Sequence, residues 1–292
     1  MVDRYLLRYF LAVLDCGNFS KAARQLNVAQ PSLSVGIGKL ERLLGTALFQ
    51  RNSKRVQVTD AGARLAAHAR RIEHEFNLAE ASVRGMRAAP LLRLGVLATF
   101  PIALIADAIK AAGRSPTRER LQLVPGNERE LLQRLARGQI DVALSIVRGD
   151  EPRVAAETLM SESYTLAVSA THPLADRASI AAEELADNTM LLRRHCEALS
   201  ETSRYFTARG VRPFFAYRGT NDEQVLCLVA AGLGVTVMPD CYVSPGVARP
   251  RLAGFATKRR IGLLYSRDES AQARGHSPIV EALRMQLSRP RR

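Results

Sequence analysis

The sequence predicts a two-domain α/β chain: a small helical head with a two-stranded wing, a long connecting helix, and a larger body of two α/β lobes. Three observations predict it. The head carries three short runs of apolar residues at helical spacing, followed by a charged hairpin pattern. Residues 60–89 hold an unbroken helical pattern with apolar positions every three or four residues. From Leu91 onward, strand-like and helix-like segments alternate, as a parallel sheet with crossover helices requires. A length of 292 residues fits two domains, and 47% hydrophobic residues are enough to bury a core in each.

In the head, Leu6, Phe10, Val13 and Leu14 share one face of a first helix, and Gly17 stops it. Ser20 stands where an N-cap belongs, ahead of Ala22, Ala23 and Leu26 on one face of a second helix. Asn27-Val28 breaks the pattern. Pro31 then suits the first turn of a third helix, where an N–H would have no helical partner. That helix turns Leu33, Ile37, Leu40 and Leu44 inward and ends at Gly45. Two short helices across a tight turn form a helix-turn-helix, whose second member is shaped for a major groove. Residues 47–49 and 56–58 read as paired strands, and the tip between them, Arg51-Asn52-Ser53-Lys54-Arg55, offers three cations to lie along phosphates.

Charge agrees with this. The chain carries a formal +14, and residues 1–89 hold 14 Lys/Arg against 7 Asp/Glu, which makes the head twice as basic per residue as the body. Such a field favours a polyanionic partner and says nothing of fold.

Thr59 is placed to cap the long helix. Leu65, Ala69, Ile72, Phe76, Ala79, Val83 and Met86 follow at steps of 4, 3, 4, 3, 4 and 3, the 3.5-residue period of a coiled-coil seam. A helix packed on its own domain would carry a wider stripe, so the narrow one favours pairing of two chains. Gly85, Ala88, Ala89 and Pro90 end the helix, giving expected boundaries of 1–59, 60–89 and 90–292.

In the body, strands are expected at 92–97, 121–124 and 141–145 with helices at 102–112 and 128–137 between them. A second set follows: strands at 189–192, 214–217 and 235–239, helices at 197–209 and 222–231. Two such sets joined by crossing strands, near residues 164–168 and beyond Met238, make a clamshell with its cleft at strand ends and helix starts. Free N–H groups and small hydroxyls there suit an anion.

Other classes find little support. No Ser/His/Asp set, phosphate loop or metal cluster appears, and His172, His195 and Cys196 lack metal-ligand spacing, so neither an enzyme nor a cofactor or metal is expected. Cys16, Cys196, Cys227 and Cys241 are scattered as reduced thiols would be. No apolar run reaches spanning length and no signal peptide opens the chain, so a soluble, cytoplasmic protein with no membrane partner is expected. Cys196, after Arg193-Arg194 and His195 at an expected helix start, has surroundings that would lower a thiol pKa. With no second cysteine in the following turns, a plain pocket residue is the favoured reading.

The ordered runs Phe19-Ser20-Lys21-Ala22-Ala23, Gln30-Pro31-Ser32-Leu33-Ser34, Leu40-Glu41, Leu48-Phe49-Gln50-Arg51 and Thr59-Asp60-Ala61-Gly62 resemble the LysR-type transcriptional regulators. Gly138-Gln139-Ile140-Asp141-Val142-Ala143 and Gly232-Leu233-Gly234-Val235-Thr236-Val237-Met238-Pro239 extend the likeness across the body. The resemblance implies a winged helix-turn-helix, a dimerising linker helix and a periplasmic-binding-protein-like effector domain of two α/β lobes. It implies a sequence-specific regulator whose DNA binding is modulated by a small-molecule effector, an anion being one chemistry the cleft would suit. The partners implied are double-stranded DNA, further copies in a homodimer or homotetramer, and RNA polymerase.

Residue by residue, the resemblance implies DNA contacts from Ser20, Lys21, Gln30, Pro31, Ser32, Ser34 and Lys39 on the helices, and from Arg51, Ser53, Lys54 and Arg55 on the wing. It implies effector contacts from Thr99, Phe100, Pro101, Asn127, Ser145, Ile146, His195, Cys196, Thr220 and Asn221, each of which could equally be an ordinary cap or turn. Leu65, Ile72, Phe76, Ala79 and Val83 would form the dimer seam. The place of Cys196 is similar to that of the reactive cysteine in peroxide-sensing members, which leaves a redox-sensing regulator open. The chain departs from the family pattern at Ala29, where a capping Ser or Thr is usual, and at Gly36 and Gly38, where long polar side chains are common. Those glycines would weaken the helix and remove base contacts, which leaves open a clamshell protein with a degenerate head.

Overall fold

The computed structural model describes residues 1–52, 55–83, 91–113, 119–149, 154–266 and 277–288, without the side chains of residues 51, 52, 55, 74, 78, 81 and 82. The expected contacts of Ser53, Lys54 and of the Arg51 and Arg55 side chains lie outside the described residues, as do Met86 and the helix end at 85–90. The chain divides into two compact units, Met1–Arg93 with Glu119–Gln122 and Leu132–Asp141, and Leu94–Arg118 with Leu123–Leu131 and Val142–Arg292.

In the first unit, α1 (Arg4–Cys16), α2 (Phe19–Gln25) and α3 (Gln30–Leu44) precede a hairpin of β1 (Phe49–Asn52) and β2 (Arg55–Val58). Gly17 and Gly45 end α1 and α3 in the left-handed conformation, as expected from glycine at these points. The cap of α2 differs from expectation. Asn18, not Ser20, is the N-cap, its side chain accepting from the Lys21 N–H at 3.0 Å, and Ser20 lies inside the first turn. Both residue types cap well, so type alone could not place the boundary. Ala29 caps α3 without a side-chain hydrogen bond.

Leu6, Phe10, Val13, Ala22, Ala23, Leu33, Ile37, Leu40, Leu48 and Phe49 form one buried cluster that fixes α3 against α1 and α2. Gly36 belongs to its wall. A Cβ there would stand 2.6 Å from Tyr9 Cδ2, so this glycine admits the Tyr9 ring rather than giving up a base contact. Around Gly38 nothing lies within 4 Å. The two alanine substitutions therefore have opposite signs. Gly38→Ala is expected to stabilise the head by about 1 kcal/mol through helix propensity, whereas Gly36→Ala destabilises it by about 1–3 kcal/mol through overpacking; urea unfolding of both variants checks this.

α4 (Asp60–Val83) follows the wing. Thr59 Oγ1 accepts from the Gly62 N–H at 3.0 Å and donates to the Ala47 carbonyl at 2.8 Å, tying the helix start to the wing. A Cβ on Gly62 would lie 2.3 Å from the Leu48 carbonyl oxygen, which is why the chain has glycine there. Ala66 and Ala69 bury into the head core with Leu65 packed beside them. Farther along, Arg4 binds Glu73 at 2.9 Å and Asn77 at 3.0 Å and covers the Phe76 ring at 4.6 Å.

The body is built on a mixed sheet in the order β10-β6-β13-β5-β3-β4, with β11 (Val247–Ala248) also on β6. Its strands are β3 (Leu91–Leu97), β4 (Arg120–Gly126), β5 (Val142–Ile146), β6 (Val154–Ser169), β10 (Thr236–Pro239) and β13 (Lys258–Ser266). β3 and β5 run parallel, joined through α5 (Ile102–Ala112) and α6 (Glu128–Ala136) as the alternating pattern requires. The sixteen-residue β6 is the crossing strand. Its first part pairs with β13 and its last part with β10 and β11.

The second lobe adds parallel β8 (Met190–Arg193) and β9 (Phe215–Gly219), α7 (Leu199–Ala208) and α8 (Asp222–Ala230). A bridge from Met190 to Val235 continues this pair toward β10. The short β7 (Ser179–Ile180) and β12 (Arg251–Leu252) pair with each other, and α9 (Pro278–Leu287) closes the described chain.

Candidate DNA interface and effector cleft

α3 has two unlike faces. Leu33, Gly36, Ile37 and Leu40 are buried, while Gln30, Pro31, Ser32, Val35, Lys39 and Arg42 are exposed, with Ser34 half-buried between them. Ser20 and Lys21 on α2 are also exposed. The back of the helix is held as well as buried: Glu41 Oε1 accepts from the Leu48 and Phe49 N–H groups at 2.8 and 3.2 Å, fastening α3 to the first wing strand. Lys39 is partly engaged, 3.2 Å from Tyr5 Oη and 3.7 Å from Asp3 Oδ2. Val35 was missed from the sequence. It is 69% exposed at the centre of the open face, where an apolar side chain gains nothing from water and can meet a thymine methyl.

Along α4, Ile72, Phe76, Ala79 and Val83 are exposed, whereas Leu65 is half-buried on the head core. A shallow cavity of about 440 Å³ is lined by His68, Arg71, Ile72, Glu75, Phe76 and Ala79.

In the second unit, the expected effector residues fall into several groups. Phe100, Thr220 and Asn221 line one cavity of about 500 Å³ with Val96, Leu123 and Tyr242. Ile146 lines another of about 610 Å³ with Tyr164, Glu197, Lys258 and Arg259. Cys196 lines a third of about 430 Å³ under α7, among Leu199, Phe206 and Phe215. Pro101 and Asn221 are N-caps of α5 and α8, and only Asn221 uses its side chain, accepting from Glu223 and Gln224. Asn127 accepts from the Glu130 N–H at 2.9 Å just ahead of α6. His195 is exposed, and Ser145 Oγ is buried with no hydrogen-bond partner among the described residues.

Thr99 is the member of this set whose hydroxyl meets a carboxylate. Thr99 Oγ1 donates to Glu197 Oε2 at 2.8 Å. Tyr164 Oη donates to the other carboxylate oxygen, and Arg259 reaches the same oxygen from a side chain only 2% exposed. Arg259 also binds Glu162 at 2.8 Å and the Thr99 carbonyl at 3.0 Å. Burial pushes the Glu197 carboxyl up, but the Arg259 charge and the Tyr164 hydrogen bond outweigh it and hold the group below the usual carboxylate range. Glu197, Tyr164 and Arg259 were not singled out from the sequence. Arg259 stands between Lys258 and Arg260, and nothing in that run of three cations marks the middle one as the buried one.

The surroundings of Cys196 also differ from expectation. α7 begins at Leu199, so Cys196 precedes the helix instead of opening it. Arg193 Nη1 donates to its sulfur at 3.3 Å, yet burial dominates and pushes the thiol up. Arg194 points its charge into solvent. None of the four cysteines forms a disulfide. Among the described residues no group of three or more His, Cys, Asp or Glu could hold a metal ion, and no helix is long and apolar enough to cross a membrane.

A helix-turn-helix head with an open recognition face, on the same chain as a two-lobed α/β domain with cavities at its strand ends, defines a ligand-responsive DNA-binding regulator. Residues 5–63 match the model for the bacterial regulatory helix-turn-helix protein, lysR family, and residues 87–287 match the LysR substrate binding domain. The chain belongs to the LysR family of DNA-binding transcriptional regulators with an effector-binding domain.

It is 34% identical over 284 residues to a "Probable hydrogen peroxide-inducible genes activator" of Mycobacterium avium, covering 90% of this chain and 89% of that one. It is 29% identical to the "DNA-binding transcriptional dual regulator OxyR" of Escherichia coli, covering 96% and 94%. Among solved structures, ArgP from Mycobacterium tuberculosis matches with a TM-score of 0.73 at 19% identity over 99% of this chain and 98% of that one. A full-length OxyR variant from Pseudomonas aeruginosa matches at 0.66 and 23% over 98% and 95%. These two structures share the fold.

Proposed function

We propose that two copies of this chain pair along α4, present two α3 helices to an operator of near-twofold symmetry, and change that grip when a small molecule enters the body. The observation that carries the reading is the division of α3 into a clamped apolar back and an open polar face centred on Val35. In this reading Gln30, Ser32, Ser34 and Val35 read base edges, while Ser20, Lys21, Lys39 and the wing cations Arg51, Lys54 and Arg55, with Ser53, hold phosphates. Ile72, Phe76, Ala79 and Val83 supply the seam, and Leu65 serves the head. The protein acts in the cytoplasm by binding rather than by catalysis, with RNA polymerase as its further partner.

The peroxide-inducible names belong to the relatives. For this chain a redox reading would rest on Cys196, whose thiol is raised by burial. We assign it to the wall of the cavity under α7.

Fluorescence anisotropy on the duplex upstream of the chain's own coding sequence, against random duplex, tests the head. Arg51→Ala is expected to weaken both duplexes alike and to reduce the log–log salt slope by about 1. Gln30→Ala and Val35→Ala are expected to cost about 1–3 kcal/mol on the operator and little on random DNA. Equal losses on both duplexes for all three changes would refute the assignment of α3 to base readout.

A further inference from the structure

We propose that Glu197 is a resident carboxylate filling the anion subsite at the end of β3, so that this sensor turns away small carboxylates until that side chain is removed. The proposal rests on the reading of the body as an effector domain and names what one of its subsites accepts. The donors are the ones a bound carboxylate would need. Thr99 Oγ1, Tyr164 Oη and Arg259 Nη1 converge on the two Glu197 oxygens, and all three residues are buried. They come from three separate places: the end of β3, the crossing strand β6, and β13. Such a convergence of two hydroxyls and a guanidinium is the arrangement expected of a carboxylate-recognition site.

The chain itself supplies the anion. Arg259 has a second carboxylate in Glu162, so its charge is balanced even with Glu197 absent, and the fold around it has a reason to persist. With every donor turned to Glu197, an entering carboxylate would meet a like charge and no free hydroxyl. The effector therefore presents no carboxylate to Thr99 and Arg259.

Truncation makes the idea testable, because Glu→Ala removes two carbons and two oxygens, the heavy atoms of acetate. Full-length wild type, Glu197→Ala and Glu197→Ser are each titrated with sodium acetate against sodium chloride at equal ionic strength, following the melting temperature. Both variants are expected to gain a saturable rise of about 2–4 °C in acetate over chloride, with less from the bulkier benzoate, while wild type shows none. Adding Thr99→Val to Glu197→Ala is expected to reduce the gain.

Three results would overturn the proposal. One is an equal acetate response in wild type, which would mean the subsite is open beside Glu197. Another is two folded variants, judged by native circular dichroism, that ignore acetate. The last is failure of both to fold even when prepared in acetate. Acetate binding is read on the body alone, whereas operator binding by the same preparations reports on the head, so failure here and failure of the regulator reading remain separable.

Discussion

Asp222→Ala is expected to lower the stability of the second unit by about 3–5 kcal/mol, a larger effect than truncating any surface charge. Arg193 and Asp222 are 2% and 5% exposed and meet edge to edge, with Arg193 Nε 2.7 Å from Asp222 Oδ1. Arg193 also donates to the Val237 carbonyl at 3.1 Å, so its guanidinium links β8, α8 and β10. Burial works against this charge, and the hydrogen bonds to Asp222 reverse that and keep the arginine protonated. Removing Asp222 leaves a desolvated cation without its hydrogen-bonded counter-ion. Replacing both partners, as in Arg193→Met with Asp222→Leu, removes the charge together with its partner and is expected to cost less than Asp222→Ala alone. Denaturant unfolding of the three variants decides it. A double variant less stable than the single one would show that the pair contributes more than it costs to desolvate.

The second large effect lies on α4. On the proposed pairing along α4, Ile72→Glu with Val83→Glu is expected to turn the protein into a monomer and to weaken operator binding on the order of 100-fold, because two linked heads would bind as one and a single head would lose that advantage. Val83 is 89% exposed, and an apolar residue so placed is costless to replace unless something covers it. Phe76 is the less clean choice, since Arg4 already covers its ring and a change there would also loosen the head. Light scattering gives the mass and anisotropy the affinity. An unchanged mass would remove α4 as the seam, whatever the DNA affinity does.

How far the sequence could be read varies with the range of the contacts involved. The three head helices were legible because a 3.6-residue period, a proline in a first turn and two stopping glycines are local signals. The slip from Asn18 to Ser20 shows the resolution of such signals, since either side chain can cap. Gly36 shows their limit: a missing side chain on α3 has meaning only once Tyr9 of α1 is known to fill the space. Of the residues expected at strand ends and helix starts, Phe100, Thr220 and Asn221 share one cavity, while Ile146 and Cys196 line two others. The direction of the Cys196 thiol pKa differs from expectation, because burial outweighs the cations nearby in sequence.

The sequence by itself determined the order of the main elements and the family, because these follow from periodicity and from motifs a few residues long. Only the tertiary structure decided what the charged groups do. Glu197 meets Thr99, Tyr164 and Arg259 across separations of 33 to 98 residues, and Arg193 meets Asp222 across 29. Electrostatic partners in a folded chain are set by distance in space and by the water excluded between them, and neither is written in the order of the residues.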